Sequence, residues 1–224
     1  MYKLGLIGKN ISHSKSKINY VNLLERSIKF DLLDFNSKED IPDLKELLKN
    51  YNGLSVTSPY KNIIYQMCNS HKEVRDFKAI NCLKLKDGIV YGTNTDYYAC
   101  LEILKNYKLK GVSEVLLLGD GSMSRVLGQA LKNLNIPFLI SSRKTDGFKQ
   151  VPNYNTHQSL IINCCARDFD LSTLNFSKSI YLWDLNYNQG YEDYLVKKLK
   201  AQFLNGESLL LEQAKLAISY WEIS

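Results

Sequence analysis

The residues best suited to chemistry lie in the run Val56-Thr57-Ser58-Pro59-Tyr60-Lys61 and in the later triplet Asn94-Thr95-Asp96. Lys61 offers an amine and Asp96 a carboxylate, while hydroxyls and side-chain amides, among them Asn81, lie on loops of the same half of the chain. Such a set suits a small molecule that carries several hydroxyl groups. A lysine and an aspartate that meet at one oxygen predict proton transfer.

The same residues also have ordinary structural explanations. Taken alone, Lys61 is a surface lysine in an exposed turn after Pro59. Either Thr95 or Asp96 is a good N-cap for the helix that is predicted to follow. An N-cap aspartate can also face a ligand, so both interpretations stay open for Asp96.

Ser14 and Ser16 lie between a predicted strand and a predicted helix. One serine could cap the helix while the other is free to bind a carboxylate. Gln213 is the polar exception in the apolar stretch 208–221, which predicts that its amide points into a cleft.

Hydrophobic periodicity predicts alternating strands and helices in the first half of the chain. The predicted strands are 3–7, 29–35, 53–57, 79–85 and 89–91, and the predicted helices are 16–28 and 41–50. Asp87-Gly88 between the last two strands predicts a tight hairpin. The alternation is typical of α/β units with a largely parallel sheet.

From Val115 the pattern restarts with a buried strand, a glycine turn and a helix that reaches residue 134. Further strands are predicted at 137–140, 160–162 and 180–183, and this order predicts a small Rossmann-like domain. A polar connector occupies 108–113. We expect a first domain of residues 1–100 joined by 206–224, and a second domain of residues 101–205.

The glycine turn after residue 118 predicts a pyrophosphate site at Gly119, Gly121 and Ser122, because the helix N-terminus offers free N–H groups there. Asp120 brings a negative charge close to the expected phosphates. The alternative interpretation is a tight turn that serves only packing.

The end of the next strand predicts the choice of cofactor. Ser142 and Arg143 follow that strand, and no acidic residue precedes Asp146. Since an arginine accommodates a 2′-phosphate whereas an acid takes the ribose hydroxyls, NADP is predicted over NAD. A solvated loop is the alternative for the basic pair Arg143-Lys144.

Composition excludes several other classes of function. The formal charge of +6 comes from scattered lysines, which predicts a solvated surface and a mild attraction for anionic ligands rather than nucleic-acid binding. The five cysteines have no C-x-x-C spacing and the three histidines are isolated, so we expect reduced thiols and no metal. No apolar run is long enough for a membrane span or signal peptide, which predicts a cytoplasmic protein.

Several motifs occur in one order along nearly the whole chain. They are Gly5-Leu6-Ile7-Gly8, Ile11-Ser12-His13-Ser14-Lys15-Ser16, Gly53-Leu54-Ser55-Val56-Thr57-Ser58-Pro59-Tyr60-Lys61, Ala79-Ile80-Asn81, Gly92-Thr93-Asn94-Thr95-Asp96, the turn at Gly119, Ile161-Ile162-Asn163, Asp184 with Tyr187, and Leu211-Glu212-Gln213-Ala214. With these motifs the chain resembles the shikimate dehydrogenases.

The resemblance implies an N-terminal α/β substrate domain, a Rossmann-like NADP-binding domain, and a C-terminal helix that returns to the substrate domain. It also implies the reversible, NADP-linked reduction of 3-dehydroshikimate to shikimate. Ser14 and Ser16 would hold the substrate carboxylate with help from Tyr187. The residues expected around the hydroxyls and carbonyl are Thr57, Lys61, Asn81, Asp96 and Gln213, with Lys61 and Asp96 matching the catalytic pair.

The chain departs from the family pattern at several positions. Lys17 replaces a proline, Tyr97 replaces a glycine and could narrow the cleft, and Cys164-Cys165-Ala166-Arg167 replaces small hydroxyl residues. The turn Gly119-Asp120-Gly121-Ser122-Met123 has lost glycines. Two alternatives therefore stay open: a quinate/shikimate dehydrogenase that uses NAD, and a non-catalytic paralogue that binds a shikimate-like ligand. A monomer or a homodimer is compatible with the sequence.

Overall fold

A computed structural model describes residues 1–12, 14–166, 168–187, 190–199 and 202–223. His13 and Arg167, which belong to motifs above, lie outside these residues. The chain forms two compact units: Met1–Tyr98 with Leu210–Ser224, and Ala99–Leu209. Among the described residues, no helix combines the length and the apolar character that crossing a membrane requires.

The first unit is built on a six-stranded sheet. Its strands are β1 (Tyr2–Gly8), β2 (Ile28–Asp34), β3 (Gly53–Val56), β4 (Asn69–Ser70), β5 (Cys82–Lys86) and β6 (Ile89–Thr93), in the order β2-β1-β3-β5-β6-β4. Strand β1 pairs in parallel with β2 and β3, whereas β5 runs antiparallel to both β3 and β6. The sheet is therefore mixed, because the β5–β6 hairpin adds an antiparallel part to a parallel one.

The helices that begin in this unit are α1 (Ser16–Leu24), α2 (Leu44–Leu48), α3 (Lys61–Tyr65) and α4 (Thr95–Leu109), and α4 belongs to the second unit from Ala99 onward. The expected helix 16–28 was too long, because Glu25 adopts a left-handed backbone at φ 50° and Ile28 already belongs to β2. The expected helix 41–50 was also too long. Asp43 caps α2 by accepting from the N–H groups of Lys45 and Glu46, so the helix begins only at Leu44.

The hairpin prediction is confirmed. Strands β5 and β6 pair antiparallel through Lys86 and Ile89, which leaves Asp87 and Gly88 as the two turn residues. Both have positive φ, 51° and 73°, as a type I′ turn requires. Because of this turn, β6 runs back so that the Asn94-Thr95-Asp96 triplet follows it at the same end of the sheet at which β3 ends.

The second unit contains a five-stranded sheet, and the last two helices of the chain begin in this unit. Its elements are β7 (Glu114–Leu118), α5 (Ser122–Asn133), β8 (Phe138–Ser141), β9 (Ser159–Asn163), β10 (Tyr181–Asp184), α6 (Glu192–Leu199), β11 (Phe203–Leu204) and α7 (Glu207–Tyr220). All pairings are parallel in the order β11-β10-β9-β7-β8. Since β8 and β9 flank β7 on opposite sides, the strand order reverses at β7, and parallel sheets bind ligands at the carboxyl ends of the strands at such a point.

The C-terminal part of α7 belongs to the core of the first unit. Trp221, just after α7, packs beside Tyr20 at 5.3 Å between ring centroids and donates its indole N–H to the Leu83 carbonyl at 2.9 Å. Both rings are at most 5% exposed. This anchor fixes the register of α7 and thereby the position of Gln213 about two turns earlier.

Candidate active site

The first unit brings Lys61 and Asp96 into direct contact. Lys61 is the first residue of α3, shortly after β3 ends, and Asp96 lies in the first turn of α4. The Lys61 Nζ atom donates to Asp96 Oδ2 at 2.6 Å, and the two side chains are only 18% and 13% exposed. The interpretation of Lys61 as an ordinary surface lysine is therefore wrong.

The start of α4 leaves the Asp96 carboxylate available for this contact. Asn94 is the capping acceptor, because its Oδ1 atom accepts from the Tyr97 N–H at 2.9 Å. Its amide nitrogen donates to the Ala79 carbonyl at 2.9 Å, which fixes the cap on the preceding segment. The expected capping role thus falls on Asn94 rather than on Thr95 or Asp96.

Asn81 and Gln213 meet around Thr95. Asn81 Oδ1 accepts from the Thr95 N–H at 2.7 Å, and the Thr95 hydroxyl lies 3.2 Å from the same oxygen and 3.3 Å from Gln213 Oε1. The Gln213 amide nitrogen donates to the Leu210 carbonyl at 3.0 Å. These contacts hold two amides next to the residue that precedes Asp96.

Ser14 lies just before α1, Ser16 is the first residue of α1, and Thr57 directly follows β3 in the same unit. The Ser14 hydroxyl donates to Ser16 Oγ at 3.1 Å and accepts from the Ser16 N–H at 3.3 Å, and both serines are half-buried. The Thr57 N–H donates to the Ile7 carbonyl at 2.9 Å, which extends the β1–β3 pairing beyond β3. Its side chain is half-buried.

Sequence reasoning missed a buried hydroxyl pair in the same unit. Tyr20 and Ser55 lie 2.8 Å apart through their hydroxyl oxygens, and both are buried. Burial raises the pKa of Tyr20, with a further increase from the charge of Asp96, while hydrogen bonds from Ser55 and Gln213 oppose the rise. The available signal was a serine in an otherwise apolar strand, since Ser55 interrupts β3.

Tyr97 is buried within the first unit. Its ring is 1% exposed and packs against Phe77 and Tyr98, with centroids 5.2 and 5.1 Å away. The side chain therefore contributes to packing, and the expectation that it narrows a cleft gains no support from these contacts.

A cavity of about 200 Å³ lies at the carboxyl ends of β7, β8 and β9. Its lining is formed by Gly119, Asp120, Gly121, Ser142, Arg143, Lys144, Phe148, Cys164, Cys165 and Ala166. Gly119 has φ +97°, and a Cβ there would lie 3.2 Å from the backbone of Cys164 and Cys165. Gly121 precedes α5 as its N-cap without a side-chain cap, so the first N–H groups of α5 remain available.

The other expected cofactor residues are distributed around this cavity. Arg143 is exposed, whereas Ser142 is buried and its hydroxyl lies 3.2 Å from that of Thr145. Ser122 begins α5 and does not belong to the lining residues. The exposed Asp120 does belong to them, which keeps a negative charge at this cavity.

The two cysteines in the lining are protonated thiols at neutral pH. Burial raises the pKa of Cys164 to about 12 and that of Cys165 to about 11, and the nearby charge of Arg143 only partly offsets the rise at Cys165. Since the thiolate is the reactive form, neither is an activated nucleophile.

Asp184 organises the segments that follow β9 and β10. It is fully buried and accepts from the Asn163 amide at 2.8 Å, the Asn186 N–H at 3.0 Å and the Tyr191 hydroxyl at 2.8 Å. Burial raises the pKa of this carboxyl, and the three hydrogen bonds oppose the rise. Tyr187, one residue after Asn186, is half-buried in the second unit.

The fold of the second unit and the Lys–Asp contact of the first define the class of two-domain α/β oxidoreductases with a nucleotide cofactor. A family model described as the shikimate dehydrogenase substrate binding domain matches residues 6–83. A protein named shikimate dehydrogenase (NADP(+)) from Clostridium botulinum strain Hall is 31% identical, over 99% of this chain and 96% of the relative. The chain belongs to the shikimate dehydrogenase family.

Two other comparisons also match nearly the whole chain. A protein of the same name from Prochlorococcus marinus subsp. pastoris is 28% identical, over 97% of this chain and 90% of that protein. Among solved structures, shikimate 5-dehydrogenase from Thermus thermophilus in complex with NADP(H) and shikimate superposes with a TM-score of 0.80 at 23% identity. The match covers 99% of this chain and 93% of that one, so the two proteins share a fold.

Proposed function

We propose that the protein catalyses the reversible, NADP-linked reduction of 3-dehydroshikimate to shikimate. The observation that carries this proposal is the 2.6 Å contact between Lys61 and Asp96. The names of the relatives support the substrate and the cofactor. A position in aromatic amino acid biosynthesis follows from this activity.

Lys61 and Asp96 are proposed as the catalytic pair. NADPH, when bound, supplies the hydride. As charge builds on the carbonyl oxygen of the substrate, the Lys61 ammonium donates a hydrogen bond and then its proton to that oxygen. The Asp96 carboxylate orients the amine, which regains a proton from solvent after the transfer. In the reverse direction the Lys61 amine accepts the proton of the shikimate hydroxyl.

The remaining polar residues are proposed to bind and orient the substrate. Ser14 and Ser16, whose hydroxyls are 3.1 Å apart, suit a carboxylate, which accepts from both. Tyr187 is proposed as a further carboxylate donor. Thr57, Asn81 and Gln213 are proposed to contact the substrate's hydroxyl groups, as hydroxyl and amide groups can both donate and accept.

NADP is proposed to bind at the cavity of the second unit. Gly121 and the start of α5 at Ser122 provide N–H groups for the pyrophosphate. Gly119 is proposed to shape the turn, because its own N–H already donates to the Ser141 carbonyl at 2.8 Å. Ser142 and Arg143 are proposed to take the ribose end, where the guanidinium pairs with a 2′-phosphate. The basic neighbours Arg143 and Lys144 both line the cavity, which favours NADP over NAD.

Replacing Lys61 by methionine tests the proposal and has a matched control in the same unit. Lys84 has the same 18% side-chain exposure and donates to Glu222 at the same distance, 2.6 Å. Lys61→Met should lower kcat for shikimate oxidation by about 10²–10⁴-fold, the usual contribution of a general acid–base group. Lys84→Met should retain wild-type kcat. Equal turnover in the Lys61 variant and wild type would refute the assigned role.

A second candidate is a binding-only protein for a shikimate-like ligand, which the carboxylate of Asp120 at the cofactor cavity favours. It predicts shikimate binding without NADPH binding, and calorimetric titration with each compound separates the candidates. Parallel assays with quinate and NAD test whether the protein is instead a quinate/shikimate dehydrogenase that uses NAD. We further propose a cytoplasmic monomer or homodimer that does not bind nucleic acid.

A further inference from the structure

Asp146 anchors the loop that follows β8 and has no part in the mechanism above. Its Oδ1 atom accepts from the Ser141 hydroxyl at 2.6 Å. The Ser142 N–H, the Thr145 hydroxyl and the Phe148 N–H each donate to the same oxygen at 3.2 Å. One carboxylate oxygen therefore joins the end of the strand to both ends of the following loop.

Backbone hydrogen bonds close the same loop. The N–H groups of Thr145, Asp146 and Gly147 approach the Ser142 carbonyl at 3.2, 3.2 and 3.0 Å. The donors around Asp146, with the Ser141 hydroxyl first, hold the pKa of its carboxyl below the usual range. The carboxylate is thus ionised in neutral solution and accepts from all four groups.

The loop carries cavity-lining side chains, whereas Asp146 lies outside the lining. Ser142, Arg143 and Phe148 line the cavity at the ends of β7, β8 and β9. Phe148 has a left-handed backbone at φ 65°, which is unfavourable for a residue with a large side chain, and its ring packs on Phe169 at 4.8 Å between centroids. The contact from Asp146 to the Phe148 N–H supports this backbone conformation.

We propose that Asp146 is a positioning residue for the 2′-phosphate of NADP. By fixing the segment 142–148, its Oδ1 atom keeps Arg143 at the cavity in the free protein, so that binding does not have to order the loop. The inference rests on the proposed function because it takes NADP as the cofactor. NAD lacks the 2′-phosphate, so its affinity depends far less on a fixed Arg143.

Calorimetric titration with NADP⁺ and, separately, NAD⁺ measures this effect without turnover. The variants are Asp146→Ala, which removes the acceptor, and Asp146→Asn, which retains an oxygen at the Oδ1 position. Asp170→Ala is the matched control in the same unit, since Asp170 also uses Oδ1 to hold a short loop, accepting from the Ser172 N–H at 2.8 Å. Thermal unfolding of each variant checks the fold.

Asp146→Ala should raise the Kd for NADP⁺ about tenfold, which is about 1.4 kcal/mol, and change the Kd for NAD⁺ by less than about twofold. Asp146→Asn should stay within about threefold of wild type for both nucleotides, because its amide oxygen can accept the same four hydrogen bonds. Asp170→Ala should match wild type. Hydrogen exchange of the free protein should be faster in segment 142–148 of Asp146→Ala only.

Three results would overturn the proposal. If Asp146→Ala weakens NADP⁺ and NAD⁺ equally, the residue supports the fold rather than phosphate recognition. If Asp146→Asn binds NADP⁺ more tightly than wild type, the negative charge of Asp146 repels the 2′-phosphate and does not assist its binding. If Asp146→Ala leaves both Kd values at the wild-type level, recognition of the 2′-phosphate does not depend on Asp146.

The proposed function fails in a different way. A wild-type protein that binds neither nucleotide would refute the NADP-linked activity, and this inference with it. A wild-type protein that prefers NADP⁺ and oxidises shikimate, beside an Asp146→Ala variant with unchanged nucleotide preference, would refute the inference alone.

Discussion

The two glycines of the turn after β7 should have separable roles. Gly119 has φ +97°, and a Cβ there would lie 3.2 Å from backbone atoms of Cys164 and Cys165. Gly121 has φ −79°, and a Cβ there would meet nothing within 4 Å. An alanine at the first position must therefore distort the turn, whereas an alanine at the second fits the free protein.

The cost of Gly119→Ala combines backbone strain with the close contact. A side chain at such a φ costs about 1–3 kcal/mol. For a protein of this size, 1 kcal/mol shifts the Tm by about 2–4 °C, so a total near 2–3 kcal/mol lowers the Tm by about 4–12 °C. Gly121→Ala loses only the modest advantage of glycine over alanine at an N-cap, below about 1 kcal/mol.

Thermal unfolding without nucleotide, followed by titration with NADP⁺, distinguishes the two roles. Gly119→Ala should lower both the Tm and the NADP⁺ affinity. Gly121→Ala should keep the Tm within about 3 °C of wild type and still weaken NADP⁺ about tenfold, because the second glycine allows the backbone to approach the pyrophosphate. Equal Tm values for Gly119→Ala and wild type, or unchanged NADP⁺ affinity in Gly121→Ala, would refute this reasoning.

Two further predictions concern buried groups. Because burial raises the pKa of Asp184, the folded protein binds its proton more readily than the unfolded chain does, so the stability that this group contributes is present at low pH and is lost as pH rises through the folded pKa. The Tm of Asp184→Asn relative to wild type should therefore increase as the pH is raised, because only the wild-type carboxyl loses its proton. Thermal unfolding of both proteins at several pH values measures this, and a relative Tm that falls as the pH is raised would contradict it. Tyr20→Phe removes the hydroxyl that contacts Ser55. In steady-state kinetics this variant should raise the KM for shikimate several-fold and leave the KM for NADP⁺ unchanged. Equal changes in both KM values would instead indicate a general loss of structure.

Local patterns in the sequence predicted most of the longer strands and helices in their order, because apolar runs and turn residues alternate there, but they did not predict α3, β4, α6 or β11. The Asp87-Gly88 hairpin is one example, and the strand–turn–helix at Gly119 is another. Helix ends were less predictable. Glu25 takes a left-handed conformation that its residue type does not signal, so α1 ends a turn earlier than its apolar spacing indicates.

The contacts around the site show where prediction from sequence stops. The Lys61–Asp96 contact joins two residues that the local motifs had already marked as candidates. The Tyr20–Ser55 pair joins a helix to a strand across 35 positions, so it depends on packing that no local pattern records. Asp146 appeared in the sequence only as the first acid after Arg143, because its role arises from the way the loop folds back.

The most direct test of the proposed activity is the absorbance of reduced nicotinamide when the purified protein is mixed with shikimate and NADP⁺. Parallel reactions contain NAD⁺ in place of NADP⁺, or quinate in place of shikimate. The account predicts a rise in absorbance with shikimate and NADP⁺, and a smaller rate with NAD⁺. No absorbance change in any reaction, from folded protein that binds shikimate, would contradict it and would support the binding-only alternative.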